Sequence, residues 1–145
     1  MSAPKSLQIA VVGAGPVGLA FACQAAAALP QAGLTVFDAK PITGQPARDP
    51  RVLALNLGSV QQLQRLRAWE PAQAEPIREV SVSQVAPGRA DLRLRAAELG
   101  VPLLGAVLGY ADVLAPLQRA WLMQEAAQPL RLRSRGGQRV ADLKT

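Results

Sequence analysis

Residues 7–38 read LQIAVVGAGPVGLAFACQAAAALPQAGLTVFD, and the fold turns on this stretch. Leu7 to Val12 is a short, mostly apolar run, the pattern of a strand buried on both faces of a parallel sheet. Pro16 to Leu29 is rich in alanine and predicts a helix, with Gly18, Ala22 and Ala26 on one close-packing side. Pro30 and Gly33 end it, and Leu34-Thr-Val-Phe37 supplies a second, β-branched and aromatic strand. The result is a β-α-β unit, whose two strands should lie parallel with a right-handed crossover.

Between the first strand and the helix stands Gly13-Ala14-Gly15-Pro16-Val17-Gly18, a G-x-G-x-x-G. Alone the pattern is weak; between a strand and a helix, with Asp38 closing the next strand, each part has a mechanical duty. Gly13 permits the tight turn, Gly15 lets backbone approach a pyrophosphate, and Gly18 allows close packing of helix on strand. The helix N-terminus offers N–H groups and partial positive charge to a diphosphate. The Asp38 carboxylate at the strand tip suits a ribose diol and disfavours a 2′-phosphate. The expected ligand is therefore FAD or NAD, and the pattern does not separate them.

Working outward, 40–51 (KPITGQPARDPR) reads as a loop, and a helix should run from Asn56 or Ser59 to Trp69 with Val60, Leu63 and Leu66 inward. Residues 70–78 read as a connector. Glu79 to Ser83 and Leu92 to Arg95 alternate around a Pro87-Gly88 turn, predicting a hairpin with one solvated face. Val101 to Leu108 should be a further strand, followed by a helix from Asp112, its N-cap, to about Ala127, with Pro116 early in it. Leu130–Arg133 and Gln138–Leu143 predict two last strands around Gly136-Gly137. By length the chain is one domain or a piece of one.

Composition narrows the chemistry. The 145 residues contain no histidine, which removes Ser-His-Asp and Cys-His nucleophiles, HExxH zinc sites and histidine relays. One cysteine, Cys23, excludes an internal disulfide and thiolate clusters, fits a reducing cytosol, and reads as inert packing in the first helix. Aromatics, at 3%, are too few for base-stacking platforms. Glycines break the apolar N-terminal run before it reaches membrane-spanning length, so the expectation is a cytoplasmic protein, with peripheral membrane contact left open.

Three segments in order carry a resemblance. Val11 to Ala20 (VVGAGPVGLA) looks like the opening of FAD-dependent monooxygenases. Asp49-Pro-Arg51-Val-Leu-Ala-Leu55 resembles the D-x-R-x-x-A-L segment of the aromatic-ring hydroxylases of ubiquinone biosynthesis. Ala97 to Ala106 (AELGVPLLGA) resembles the stretch before that family's next helix. The likeness is nearest to the family's 2-octaprenyl-6-methoxyphenol hydroxylase branch, within the class A flavoprotein monooxygenases. The fold class it implies is α/β: a Rossmann-like FAD-binding βαβ unit with a parallel sheet, plus a partial antiparallel hairpin region. By the same resemblance, 1–145 is the N-terminal part of an FAD/NAD(P)-binding domain, and about 79–108 would begin a substrate-facing sheet.

The resemblance also implies a reaction: hydroxylation of a phenolic polyprenyl ring using FAD, O2 and NAD(P)H as reductant. The Arg of D-x-R lies near FAD in that family, which carries over to Arg51; a guanidinium beside a diphosphate makes charge-assisted contacts. A bland alternative is a loop arginine paired with Asp49. Cofactor-binding residues are thus expected at Gly13, Ala14, Gly15, Pro16, Val17, Gly18, Asp38 and Arg51. No role is assigned to Tyr110, which reads equally well as a packed strand-end aromatic. The family's second FAD motif is a Gly-Asp pair, and no such dipeptide occurs here. The expectation is a truncated fold, inactive alone, with no nameable catalytic acid, base or nucleophile and no metal.

Two rival readings stand beside this one: an NAD-binding module of a dehydrogenase, and a basic, non-enzymatic interaction module. The net charge is +6, and Arg131, Arg133, Arg135, Arg139 and Lys144 crowd its end. Arginines alternating with Leu130, Leu132 and Ser134 read better as the wet face of an edge hairpin than as a nucleic-acid patch, so no nucleic-acid partner is expected.

Overall fold

The first strand, residues 8–12, buries one face only, where burial on both was expected: Val11 is buried and Ile9 half-buried, while Gln8, Ala10 and Val12 are exposed. The structure, a computed structural model, describes residues 7–83 and 92–142. In chain order its elements are β1 (Gln8–Val12), α1 (Pro16–Ala28), β2 (Gly33–Asp38), β3 (Val52–Asn56), α2 (Leu57–Arg65), a 3-10 turn (Pro71–Gln73), β4 (Glu75–Ile77), β5 (Glu79–Val82), β6 (Leu92–Arg95), β7 (Gly105–Gly109), α3 (Tyr110–Ala127) and β8 (Leu132–Gly136). The expected β-α-β unit is β1-α1-β2, with β1 and β2 parallel from Gln8 opposite Gly33 to Val12 opposite Phe37.

The parallel sheet has a third strand, in the order β1-β2-β8. β8 pairs with β2 from Leu34 opposite Leu132 to Asp38 opposite Gly136. This corrects the expected C-terminal hairpin. Residues 138–142 form no strand, Gly137 takes φ 76°, and the Gln138 N–H donates to the Asp38 carbonyl at 3.0 Å. The strand runs Leu132–Gly136 rather than Leu130–Arg133; within it Leu132 is buried and Arg133 and Arg135 are exposed, as the alternation predicts, but Leu130 lies before it and is exposed, and the pairing with β2 was not foreseen. Nor is Arg131 on the wet face. Its guanidinium donates to the carbonyls of Ala26 (2.7 Å) and Ala32 (3.1 Å), beside the C-terminal end of α1.

Helices α1 and α3 pack on each other and share one core with one face of this sheet. Leu19, Ala22, Cys23 and Ala26 of α1 meet Val11, Leu34, Val36 and Leu132 of the strands and Leu117 and Trp121 of α3. The predicted small-residue side of α1 is what permits this approach. Trp121 is fully buried, and its indole N–H donates to Ser134 Oγ at 2.8 Å. Ser134 in turn gives both its backbone N–H and its hydroxyl to the Glu125 carboxylate. α3 is thereby tied to β8 by polar bonds as well as packing.

A second, antiparallel sheet runs β3-β7-β4, and β5-β6 form a separate hairpin. β3 and β4 were not anticipated: 52–55 was read only as a motif and 75–77 as part of a connector. Both are short and gain strand geometry by pairing with β7. β7 itself starts at Gly105 rather than Val101, because Gly100 (φ 64°) and a tight turn occupy the approach. α3 starts at Tyr110 with Gly109 as N-cap, two residues before the expected Asp112, which instead lies in the first turn. Pro116 is consequently interior. α2 does start at Asn56, whose side chain accepts the Ser59 N–H at 2.8 Å, but it ends at Arg65, before Trp69.

The predicted hairpin is present, with Glu79 opposite Arg95 and Val82 opposite Leu92; its Pro87-Gly88 turn lies outside the described residues. Glu79 pairs with Arg93 and Arg95 on one face. The other face, Val80, Val82, Leu92 and Leu94, is exposed as well, where only one solvated face was expected.

Candidate dinucleotide site

The glycine turn is built by contacts that other residues do not permit. Gly13 adopts φ 107° with open space where a side chain would be, a conformation that L residues rarely take. Its N–H donates to the Phe37 carbonyl at 2.8 Å, tying the turn to the tip of β2. A Cβ at Gly18 would be driven into the Gly13 carbonyl oxygen, so close packing of helix on turn excludes any side chain. Gly15 caps α1 with no side-chain hydrogen bond, and Pro16 follows at the first helical position. The first turn of α1 therefore presents backbone N–H groups without a side-chain cap, the arrangement that receives anions.

Asp38 stands at the end of β2, as expected, and its carboxylate bridges two loops. Oδ2 accepts the Ala14 N–H and Oδ1 the Lys40 N–H, each at 2.7 Å. Arg51 arrives from the far end of the 40–51 loop. It makes a two-pronged pair with Asp49, Nε to Oδ1 at 2.9 Å and Nη2 to Oδ2 at 2.6 Å. That guanidinium holds the Asp49 carboxyl down to about 2. The Arg51 Cζ also lies 4.0 Å from the centroid of the Tyr110 ring. The Arg51–Asp49 pair expected as the bland alternative is thus present, and the same side chain is stacked on an aromatic.

These groups face one cavity of about 440 Å³, lined among others by Ala14, Gly15, Asp38, Lys40, Arg51 and Tyr110. Its size is that of an ordinary small-molecule site. Of the eight residues expected to hold a cofactor, Ala14, Gly15, Asp38 and Arg51 line it, while Gly13 and Gly18 shape the turn behind it. Pro16 and Val17 do not. They border a neighbouring apolar groove of about 230 Å³ with Ala20, Leu55, Leu63, Val113 and Leu117, and Val17 is strongly exposed.

Sequence reasoning weighed Tyr110 without giving it a role, and did not single out Gln118. Gln118 is buried in α3 and its Oε1 accepts the Gly44 N–H at 3.0 Å, pinning the loop that carries Arg51. A polar residue within the apolar stripe Leu114, Leu117, Trp121 was the available signal. Cys23 is fully buried, and burial pushes its thiol up to about 11, as inert packing requires. Among the described residues, no helix is long and apolar enough to cross a membrane.

No family model matches the sequence, and no curated protein matches it. Solved structures do. The chain is similar to Xcc4156, a flavin-dependent halogenase from Xanthomonas campestris, with TM-score 0.64 and 12% identity over 97% of this chain and 36% of that one. It is similar to the Diels-Alderase PyrE3 of the biosynthetic pathway of pyrroindomycins (0.63, 17%, 97% and 27%) and to FqzB (0.58, 16%, 97% and 30%). The chain therefore has a fold found in a flavin-dependent enzyme and spans about a third of the length of these structures. The mixed α/β class expected from the sequence is the observed one.

Proposed function

We propose that this chain is the N-terminal, adenine-side portion of an FAD site, belonging to a flavin-dependent monooxygenase that hydroxylates a phenolic polyprenyl ring. The observation that carries this reading is the convergence of three separate sequence signals, the glycine turn, Asp38 and Arg51, on one cavity of about 440 Å³. The residues suit the group. An uncapped helix N-terminus and Arg51 complement a diphosphate, Asp38 suits a ribose diol, and the open space before Gly13 leaves room for close approach. Ala14 and Gly15 would hold the diphosphate side, Asp38 the ribose, and Arg51 would shift between Asp49 and phosphate oxygens.

Flavin, when bound, supplies the redox chemistry with O2 and reduced nicotinamide. The chain's own part is to bind, orient and exclude water. In this reading the ring substrate and a peripheral membrane surface are the partners, and 79–108 begins the substrate-facing sheet. The support for the ubiquinone-type substrate is the likeness of 49–55 and 97–106 to that family's segments.

Titration of the full chain with FAD, ADP and NADH, read by tryptophan fluorescence, tests the proposal. Saturable FAD binding that ADP competes away, and that Gly13→Ala weakens by about tenfold or more, is the expected result. Preference for NADH over FAD would favour the dehydrogenase-module reading, and retention on heparin that vanishes when Arg131, Arg133, Arg135 and Arg139 become Gln would favour a basic interaction module.

A further inference from the structure

We propose that Tyr110 is a diphosphate-positioning residue, carrying Arg51 on its ring face with its hydroxyl on the side of the glycine turn at Gly15. This rests on the reading of the cavity as a dinucleotide site. Tyr110 is the first residue of α3, is half-buried, and packs against the core, so its ring has a fixed base. Its backbone is referenced to Arg51 directly: the Tyr110 N–H donates to the Arg51 carbonyl at 2.8 Å, where β3 and β7 begin their ladder at Val52 opposite Gly109. Main chain and side chain of Arg51 are thus both located by Tyr110.

The ring does what Asp49 cannot. Asp49 neutralises Arg51 and lies two residues away on the same loop, so it fixes the guanidinium only relative to that loop. The Tyr110 ring, 4.0 Å from Cζ, fixes it relative to α3 and the core. The arginine side chain remains 62% exposed, so the ring supports it without enclosing it. On the other side, a methyl group added at Gly15 would lie 3.4 Å from Tyr110 Oη. The hydroxyl therefore stands against the residue that caps α1, where an anion would meet the helix N-terminus. An incoming diphosphate would find three kinds of donor in one place: helix amides, a phenolic O–H and a guanidinium. Tyr110 is the chain's only tyrosine, one of five aromatic residues in all.

Isothermal titration of the full chain with ADP and with adenosine separates this from a merely structural role. Tyr110→Phe keeps the ring and should weaken ADP binding about threefold; Tyr110→Leu removes the platform and should weaken it about tenfold or more, both leaving adenosine unchanged. Arg51→Gln and Tyr110→Leu should be non-additive when combined, because the ring acts through the arginine. Equal loss of ADP and adenosine binding, ADP binding by both Tyr110 variants within about twofold of wild type, or full additivity would overturn the proposal. If the wild-type chain binds neither ADP nor FAD, the dinucleotide reading falls and this proposal with it. Binding by wild type with unaltered Tyr110 variants overturns this proposal alone.

Discussion

At the scale of single residues, the glycines of the turn divide by what they do. Gly13 is needed for its backbone angle and Gly18 for its missing Cβ. The second requirement is the harsher, because the atom in the way is backbone and cannot swing aside. Gly18→Ala should lower stability by about 3 kcal/mol or more, measurable by urea denaturation, by forcing α1 off the β1 turn. Cys23 offers a prediction in pH. Its thiol titrates near 9.0 when unfolded and about 11 when buried, so the folded state holds its proton more tightly. The stability from this group is fully present below pH 9 and is lost as pH rises through about 11. Denaturation midpoints should fall over that window in wild type and less in Cys23→Ala, and thiol reagents at neutral pH should modify Cys23 only on unfolding. Both residues were singled out from the sequence, since turn glycines and a cysteine in an alanine-rich helix announce their environment locally. Tyr110 was named there but given no role, because what matters about it is Arg51, 59 positions away.

At the scale of elements, the helices were legible to the extent that their caps and apolar spacing lie within a few residues. Asn56 and the Val60–Leu63 pair located α2, and its early end follows from Arg67, held at φ 55° after the last turn. The strands β3 and β4 carried no such signal. Each is three to five residues long and pairs with β7, which itself begins and ends on glycine. The arginine series near the C-terminus shows the same limit. Alternation located the strand β8 but not its neighbour, and Arg131, grouped with the exposed arginines, closes the C-terminal end of α1. Arg131→Gln should cost about 1–3 kcal/mol by chemical denaturation, since it removes charge-assisted bonds to two carbonyls. Arg133→Gln, on the exposed side of the same strand, should stay within about 0.5 kcal/mol of wild type.

At the scale of the whole molecule, stability is distributed unevenly. β2 is paired on both edges and buried under α1 and α3, whereas every residue of β5 and β6 is exposed and, among the described residues, those strands pair only with each other. Hydrogen exchange should therefore be slowest at Val36 and its neighbours, approaching the global unfolding free energy, and fastest in 79–82 and 92–95. The cavity beside the glycine turn sits on the protected side of this gradient, at the C-terminal ends of β1 and β2, where open α/β sheets place their ligands. The β-α-β unit, its glycine turn and the acid at the strand tip were readable in 7–38 alone. Helix and strand periods, a positive φ and a close approach are all local demands written into adjacent residues. The third strand of the sheet, the bond of Asp38 to Ala14, the Gln118 clamp on Gly44 and the stacking of Arg51 on Tyr110 join residues 24 to about a hundred positions apart. Such pairings leave no periodic trace in the chain; they are chosen only when folding brings the surfaces together and burial selects which polar groups must meet.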